Sequence, residues 1–224
     1  MTDALTNLPL PHLIFLIGTL IYVSIRLYFQ KRCLADRKSI LKDSLPDWIL
    51  VLLVAAGQVF VPLMLCFSRL LNSASYELPF EATYVGAPLL LFGLWLFWKS
   101  HADLGRSWSV SLKLNQNHQL ITHGVYRLVR HPMYASFFVL AISQAMLLKN
   151  WLAGPAALVA VSLLYVIRRP QEEKMMLDHF GSEYGEYRRR TGGILPRRKM
   201  ERYDQRDTTR ASTPTTFAES RRLP

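Results

Sequence analysis

The stretch "DWILVLLVAAGQVFVPLMLCF", Asp47 to Phe67, carries no charge after its first residue. Crossing about 30 Å of hydrocarbon takes roughly twenty residues of helix, and this stretch supplies that length. Gly57 and Pro62 lie inside it. Both are tolerated in a membrane helix where neighbours satisfy the freed backbone groups. The same criterion, applied outward, finds candidate spans from Leu8 to Phe29, Thr83 to Trp98, Met133 to Leu148 and Trp151 to Ile167. Arg26 falls near the end of the first, where its long side chain can reach the headgroups. Only Lys149 and Asn150 separate the last two, which predicts a tight helical hairpin. Half of the 224 residues are apolar and they cluster into these runs. The expected fold is an all-α integral membrane protein of about five transmembrane helices.

The formal charge of +11 is distributed as membrane topology requires, and no recognised nucleic-acid module accompanies it. Lys31, Arg32, Arg37, Lys38 and Lys42 follow span one, and Lys99, Arg106, Lys113, Arg127 and Arg130 follow span three. The opposite side holds only Arg69 and Lys149. The positive-inside rule then puts the N-terminus outside and the C-terminus in the cytoplasm. No positive charge precedes span one, so it does not read as a cleavable signal. Cys33 and Cys66 show neither disulfide nor metal-ligand spacing, so no metal is expected.

Between spans three and four the period changes. Trp108, Val110, Leu112 and Leu114 alternate with Ser109, Ser111 and Lys113 before an Asn115-Gln116-Asn117 turn, which predicts a short two-stranded ribbon at the cytoplasmic interface. After Pro170, Met176, Phe180, Tyr184 and Tyr187 form one stripe of an amphipathic C-terminal helix. From Arg197 to Pro224 the composition is polar and basic, and a disordered cytosolic tail is expected. The chain thus divides into transmembrane helices over 1–100, a hairpin-bearing segment over 101–196 and the tail over 197–224.

Two polar clusters lie at membrane depth or close to it, where isolated charges cost a few kcal/mol, about 2.5–3.5 at a helix centre. "RLVRHPMY" precedes span four and "RRPQEEKM" follows span five. A hairpin returns both to the same face. Each residue alone admits a plain structural account: arginines that set topology, Pro132 opening a helix, Glu172 and Glu173 favoured by a helix start. Their conjunction predicts a polar pocket open to the cytosol.

"HGVYRLVRHPMY" and "EEKMMLDHFGSEYGEYRRRTGGILP", with "LGRSWSVSLKLNQNHQLITHG" upstream, resemble the C-terminal signature of the isoprenylcysteine carboxyl methyltransferase family over about Leu104 to Pro196. The resemblance implies S-adenosylmethionine as cofactor, taken from the cytosol, and a lipophilic methyl acceptor taken from the bilayer. It implies that the stretch from His118 through Gln119 and Leu120 to Gly124, with Tyr126, walls the cofactor, and that His131, Pro132 and Tyr134 belong to its pocket. Glu172 and Glu173 match the paired acids that hold its polar parts. Arg168 matches an arginine that orients the acceptor carboxylate, and Tyr184, Tyr187 and Arg190 match a terminal helix covering the site. Ser136 stands where the family usually has glycine. The membrane would be the endoplasmic reticulum in a eukaryote and the inner or plasma membrane in a prokaryote.

Residue chemistry distinguishes the possible acceptors. S-adenosylmethionine presents cations and a carboxylate, so glutamate and arginine together suit it. A carboxylate acceptor needs alignment and desolvation more than a base, and Arg168 could grip it bidentately. A phospholipid amine needs a proton acceptor, for which His131 is the candidate. A thiol or quinone-like acceptor, an NADPH-dependent reductase of the sterol type, and a membrane adaptor using the basic tail on membrane lipids are the other readings.

Overall fold

The computed structural model describes residues 8–35, 45–68, 72–105 and 119–197. Its helices are α1 (Leu10–Ala35), α2 (Leu45–Ala55), α3 (Val61–Phe67), α4 (Glu81–Leu104), α5 (Pro132–Leu148) and α6 (Gly154–Arg190). Three segments are long and apolar enough to cross a bilayer: Leu10–Arg32, Ile49–Phe67 and Glu81–Leu104. Pro132–Leu148 is a shorter apolar helix. Leu20, Leu91, Val159 and Val166 project from the outer faces, as side chains bathed in lipid do. The protein is an all-α integral membrane protein.

Pro62 explains the join between α2 and α3. Lacking an N–H, it cannot serve the carbonyl four residues back, and the chain widens into a π turn over Ala56–Phe60. The Val61 N–H consequently bonds Ala56 O and leaves Gly57 O without its usual helical donor. Gln144 of α5 fills that place, its Nε2 donating to Gly57 O at 2.9 Å. Gln58 reciprocates, donating to Phe137 O at 3.1 Å. Gln144 thus supplies from another helix what the distorted ladder gives up, and Gln58 adds a second bond between the same two helices.

Small residues set the helix spacing elsewhere. Ser143 Oγ donates to Gly86 O at 2.8 Å, drawing α5 onto α4. A Cβ on Gly154 would lie 2.7 Å from Ala145 Cα, so the hairpin closes only around glycine. Without a hydrophobic drive between helices in lipid, such close packing is what holds them.

Both ends of the hairpin are identifiable. At one, Lys149 takes the left-handed conformation (φ 50°, ψ 43°) and Asn150 Oδ1 accepts the Leu152 and Ala153 N–H groups at 3.0 and 3.1 Å. The segment before α4 clamps this turn: Tyr76 N donates to Lys149 O at 2.8 Å and Trp151 N to Ala74 O at 2.9 Å. At the other end Leu50, Val54, Phe97, Tyr134, Phe137, Val161 and Leu164 form a buried cluster, which floors the polar residues described below.

One expectation is corrected, and another falls mostly outside the described residues. The C-terminal amphipathic helix is not separate from the fifth span: α6 continues through Pro170 and breaks only at Gly181 (φ 54°, ψ −125°). Pro170 and Val166, its partner one turn back, are both exposed, so the missing bond falls on an outer face where it disturbs no packing. No strand forms among the described residues; 119–122 are irregular, and two isolated bridges pair Ser75 with Asn150 and Val129 with Gly192. The rest of the expected ribbon, with His118, and the tail beyond residue 197 lie outside the described residues.

Gly154→Val should force α5 and α6 apart and cost about 1–3 kcal/mol, the usual penalty of overpacking. A Cβ on Gly185 meets nothing within 4 Å, so Gly185→Ala should leave the midpoint unchanged or raise it. Thermal unfolding in detergent checks both.

Candidate functional site

The site begins where α4 ends. Asp103 Oδ2 accepts the Val125 N–H at 2.8 Å, and its other oxygen pairs with Lys99. This pins the 3₁₀ turn Gly124–Arg127 against the last turn of α4. Gly124 has φ +59°, and a Cβ there would lie 2.0 Å from Asp103 Oδ2, so both conformation and space require glycine. Tyr126, buried in this turn, donates to Ser100 O at 3.3 Å. Burial, with the neighbouring Tyr187, Glu172 and Asp103, pushes its phenol well above the usual range, and it stays a donor.

Next comes a strand-like step. Arg130 N donates to Gly192 O at 2.8 Å and His131 N to Gly193 O at 3.1 Å, pairing "VRH" with "TGG". His131 caps α5 in a non-helical conformation (φ −123°, ψ 58°) with Pro132 as the first helical residue. Proline excludes the helical conformation from the residue before it. That bend turns the imidazole toward α6.

Opposite stand the two acids. Glu173 Oε1 accepts from His131 Nε2 at 3.1 Å, Arg130 Nη2 at 3.1 Å and Arg169 Nε at 3.1 Å. Its Oε2 meets Arg169 Nη2 at 3.4 Å and Arg188 Nε at 3.7 Å. The hydrogen bond from His131, then those from Arg169 and Arg130, holds its carboxyl far below the usual range against the opposing effect of burial. Glu172 receives Tyr134 OH at 2.6 Å and lies 3.7 Å from His131 Nδ1 and 3.8 Å from buried Arg168. The rings of Tyr134 and Tyr165 are 5.5 Å apart, and His131 stands edge-on to both.

Of the residues singled out by sequence, His131, Tyr134, Arg168, Glu172 and Glu173 meet in this cluster. Tyr187 reaches its edge, donating to Tyr126 O at 2.6 Å. Tyr184 is buried, and its phenol is pushed up to about 12 by burial and by Glu173. Gln119 is exposed and Leu120 half-buried in the irregular stretch. Arg190 points to solvent and pairs with Glu186 at 3.0 Å, away from the acids. Ser136 is fully buried and bonds its own helix at Met133 O, 2.6 Å, so it intrudes on no neighbour's place. Sequence reasoning placed Arg130 and Arg169 in the two polar clusters without assigning either a role at the site, and it missed Arg188 and Asp103. The Arg169–Glu173 spacing of four was a usable signal for the role of Arg169.

Fold and site together define a polytopic α-helical membrane protein with a buried acid-and-arginine cluster at one end of a helix pair. Residues 86–178 match the model of the isoprenylcysteine carboxyl methyltransferase (ICMT) family. A probable protein-S-isoprenylcysteine O-methyltransferase of Oryza sativa subsp. indica is 34% identical over 116 residues, covering 51% of this chain and 61% of that protein. The protein-S-isoprenylcysteine O-methyltransferase of Schizosaccharomyces pombe is 28% identical over 185 residues, covering 78% and 76%. A solved eukaryotic intramembrane Ras methyltransferase, ICMT, shares the fold with a TM-score of 0.53 at 23% identity, over 83% of this chain and 67% of that one. The chain spans about three fifths of the length of the rice relative. Over residues 86–178 it is similar to the ICMT family.

The depressed Glu173 carboxyl makes stability depend on acid. A group whose folded pKa lies below its unfolded value contributes fully above the unfolded value, near 4.5, and loses that contribution as pH falls toward the folded one. The melting temperature should therefore drop with pH below about 4.5. Glu173→Gln should be less stable at neutral pH and show a shallower fall, as scanning calorimetry in detergent would measure.

Proposed function

We propose that this protein is an integral membrane methyltransferase that moves a methyl group from S-adenosylmethionine to the carboxylate of an isoprenylcysteine-like acceptor drawn from the bilayer. The observation that carries the reading is the meeting of Glu172, Tyr134, His131 and Arg168 at one end of an apolar hairpin, in a chain whose relatives are protein-S-isoprenylcysteine O-methyltransferases by name. The residues fit the cofactor. Its cationic groups suit a carboxylate such as Glu172, which keeps 23% of its side chain exposed, beside the rings of Tyr134 and Tyr165, since ring faces attract cations. When bound, S-adenosylmethionine supplies an electrophilic methyl carbon whose bonding pair returns to sulfur as an acceptor oxygen bonds the carbon.

The chain's own contribution is to align and to desolvate. Arg168 lies one helical turn before Glu172 and is buried; its guanidinium can hold an acceptor carboxylate by two parallel bonds. The apolar cluster beneath, with Phe137 and Leu164, excludes water from the reacting oxygen. Both nitrogens of His131 already face carboxylates. That favours an acceptor needing no base over an amine, and gives His131 a positioning role.

Five crossings, an outside N-terminus and a cytosolic site agree with the charge bias. The clamp between the 72–80 segment and the hairpin turn supports it, because this puts the two basic-poor connections at the end away from the acids. The partners are then the lipophilic acceptor and membrane lipids.

Purified protein given labelled S-adenosylmethionine and a farnesylcysteine analogue should yield a labelled, base-labile ester. Cofactor binding without ester would exclude that acceptor. In calorimetry Glu172→Gln should weaken cofactor binding about tenfold, roughly 1.4 kcal/mol. Arg168→Ala should spare binding and lower kcat about a hundredfold or more, as loss of a charge-stabilising group does.

A further inference from the structure

We propose that the two adjacent acids have separate tasks: Glu172 faces the ligand, whereas Glu173 and Arg130 form a clasp that holds the segment from Arg188 to Gly193 across the pocket's edge. The ligand half of this inference rests on the methyltransferase reading. The clasp half stands on geometry alone. On Glu173, Oε1 accepts from His131, Arg130 and Arg169, and Oε2 meets Arg169 Nη2 at 3.4 Å and lies 3.7 Å from Arg188 Nε. Protein groups already crowd this carboxylate, whose side chain is only 7% exposed against 23% for Glu172. Glu172, more exposed and bonded by the hydroxyl of Tyr134, is the acid positioned to meet a ligand's ammonium.

Arg130 is what turns Glu173 into a clasp. One guanidinium nitrogen donates to Glu173, and another donates to Arg188 O at 3.0 Å and to Thr191 O. The same residue's N–H bonds Gly192 O, and the next one bonds Gly193 O. The strap's course requires glycine at Gly192, where a Cβ would lie 1.8 Å from Leu195 O. Upstream, the break at Gly181 separates Ser182–Arg190 from the rest of α6, and Tyr187 fastens that piece to Tyr126. Glu173 also separates cations that would otherwise repel one another: Arg130, Arg169 and Arg188 converge on it. Its neutralisation removes the attraction and leaves the repulsion, so the strap should be released. Arg130 is thus a positioning residue, acting on the ligand site through the strap.

Trypsin reads the strap directly, because Arg188, Arg189 and Arg190 lie in it. Arg130→Met and Glu173→Gln should each raise the rate of cleavage at these arginines tenfold or more, identified by fragment mass. Glu172→Gln should leave that rate at the wild-type value while weakening S-adenosylmethionine binding in calorimetry. Unchanged cleavage in both clasp variants, or equal cleavage in all three, would overturn the division of tasks. Hydrogen exchange on the wild type gives the same decision without substitution: the Arg130, His131 and Thr191 amides should open together, and independent opening would overturn the clasp. If the wild type fails to bind S-adenosylmethionine, the methyltransferase reading falls, while cleavage and exchange still decide the clasp.

Discussion

A buried, ionised glutamate holds the functional end of this molecule together. Glu173 lies on α6, yet its partners come from the step before α5, from its own helix one turn back and from the piece beyond Gly181. Leaving such an anion unpaired at the rim of a bilayer would cost several kcal/mol. Its four partners, three of them arginines, therefore act less as individual stabilisers than as a condition for the acid being there. Because they arrive from separate segments, satisfying one charge fixes the relative placement of all of them. The neighbouring Glu172, Tyr134 and Arg168 inherit that placement.

The bundle beneath obeys a different constraint. Lipid gives no hydrophobic reason for helices to associate, and the contacts are accordingly close and polar: glycine against alanine, serine to carbonyl, glutamine into the gap of a π turn. Pro62 creates a vacancy in one helix and Gln144 occupies it from another. The distortion is thereby converted into a specific pairing, which a regular helix would not have required.

The membrane class and three of the candidate spans were legible because the bilayer writes them as length and apolarity, and Asp47 to Phe67 needed nothing else. The meeting of His131 with Glu172 and Glu173 was also legible, since a hairpin of known turn returns its two ends together. The roles of Arg130 and Arg188 were hidden. Their function depends on carbonyls at Arg188 and Thr191 and on backbone pairing with Gly192, and carbonyls have no letter in a sequence. The continuity of α6 was misread for a related reason. Pro170 is a breaker by rule, but the rule does not know that its missing bond falls on an exposed face.

The hairpin turn at Lys149 and Asn150 is tied to the segment before α4 by backbone bonds, by Tyr76 and by Lys149 itself. A pair of rods gripped at one extremity bends with an amplitude that grows toward the other. The seventeen residues of α5 put about 25 Å between grip and acids. Relative displacement of the two helices is thereby concentrated at the end that carries Glu172 and Glu173. The distal lock thus governs how far the two helices can part at their opposite end.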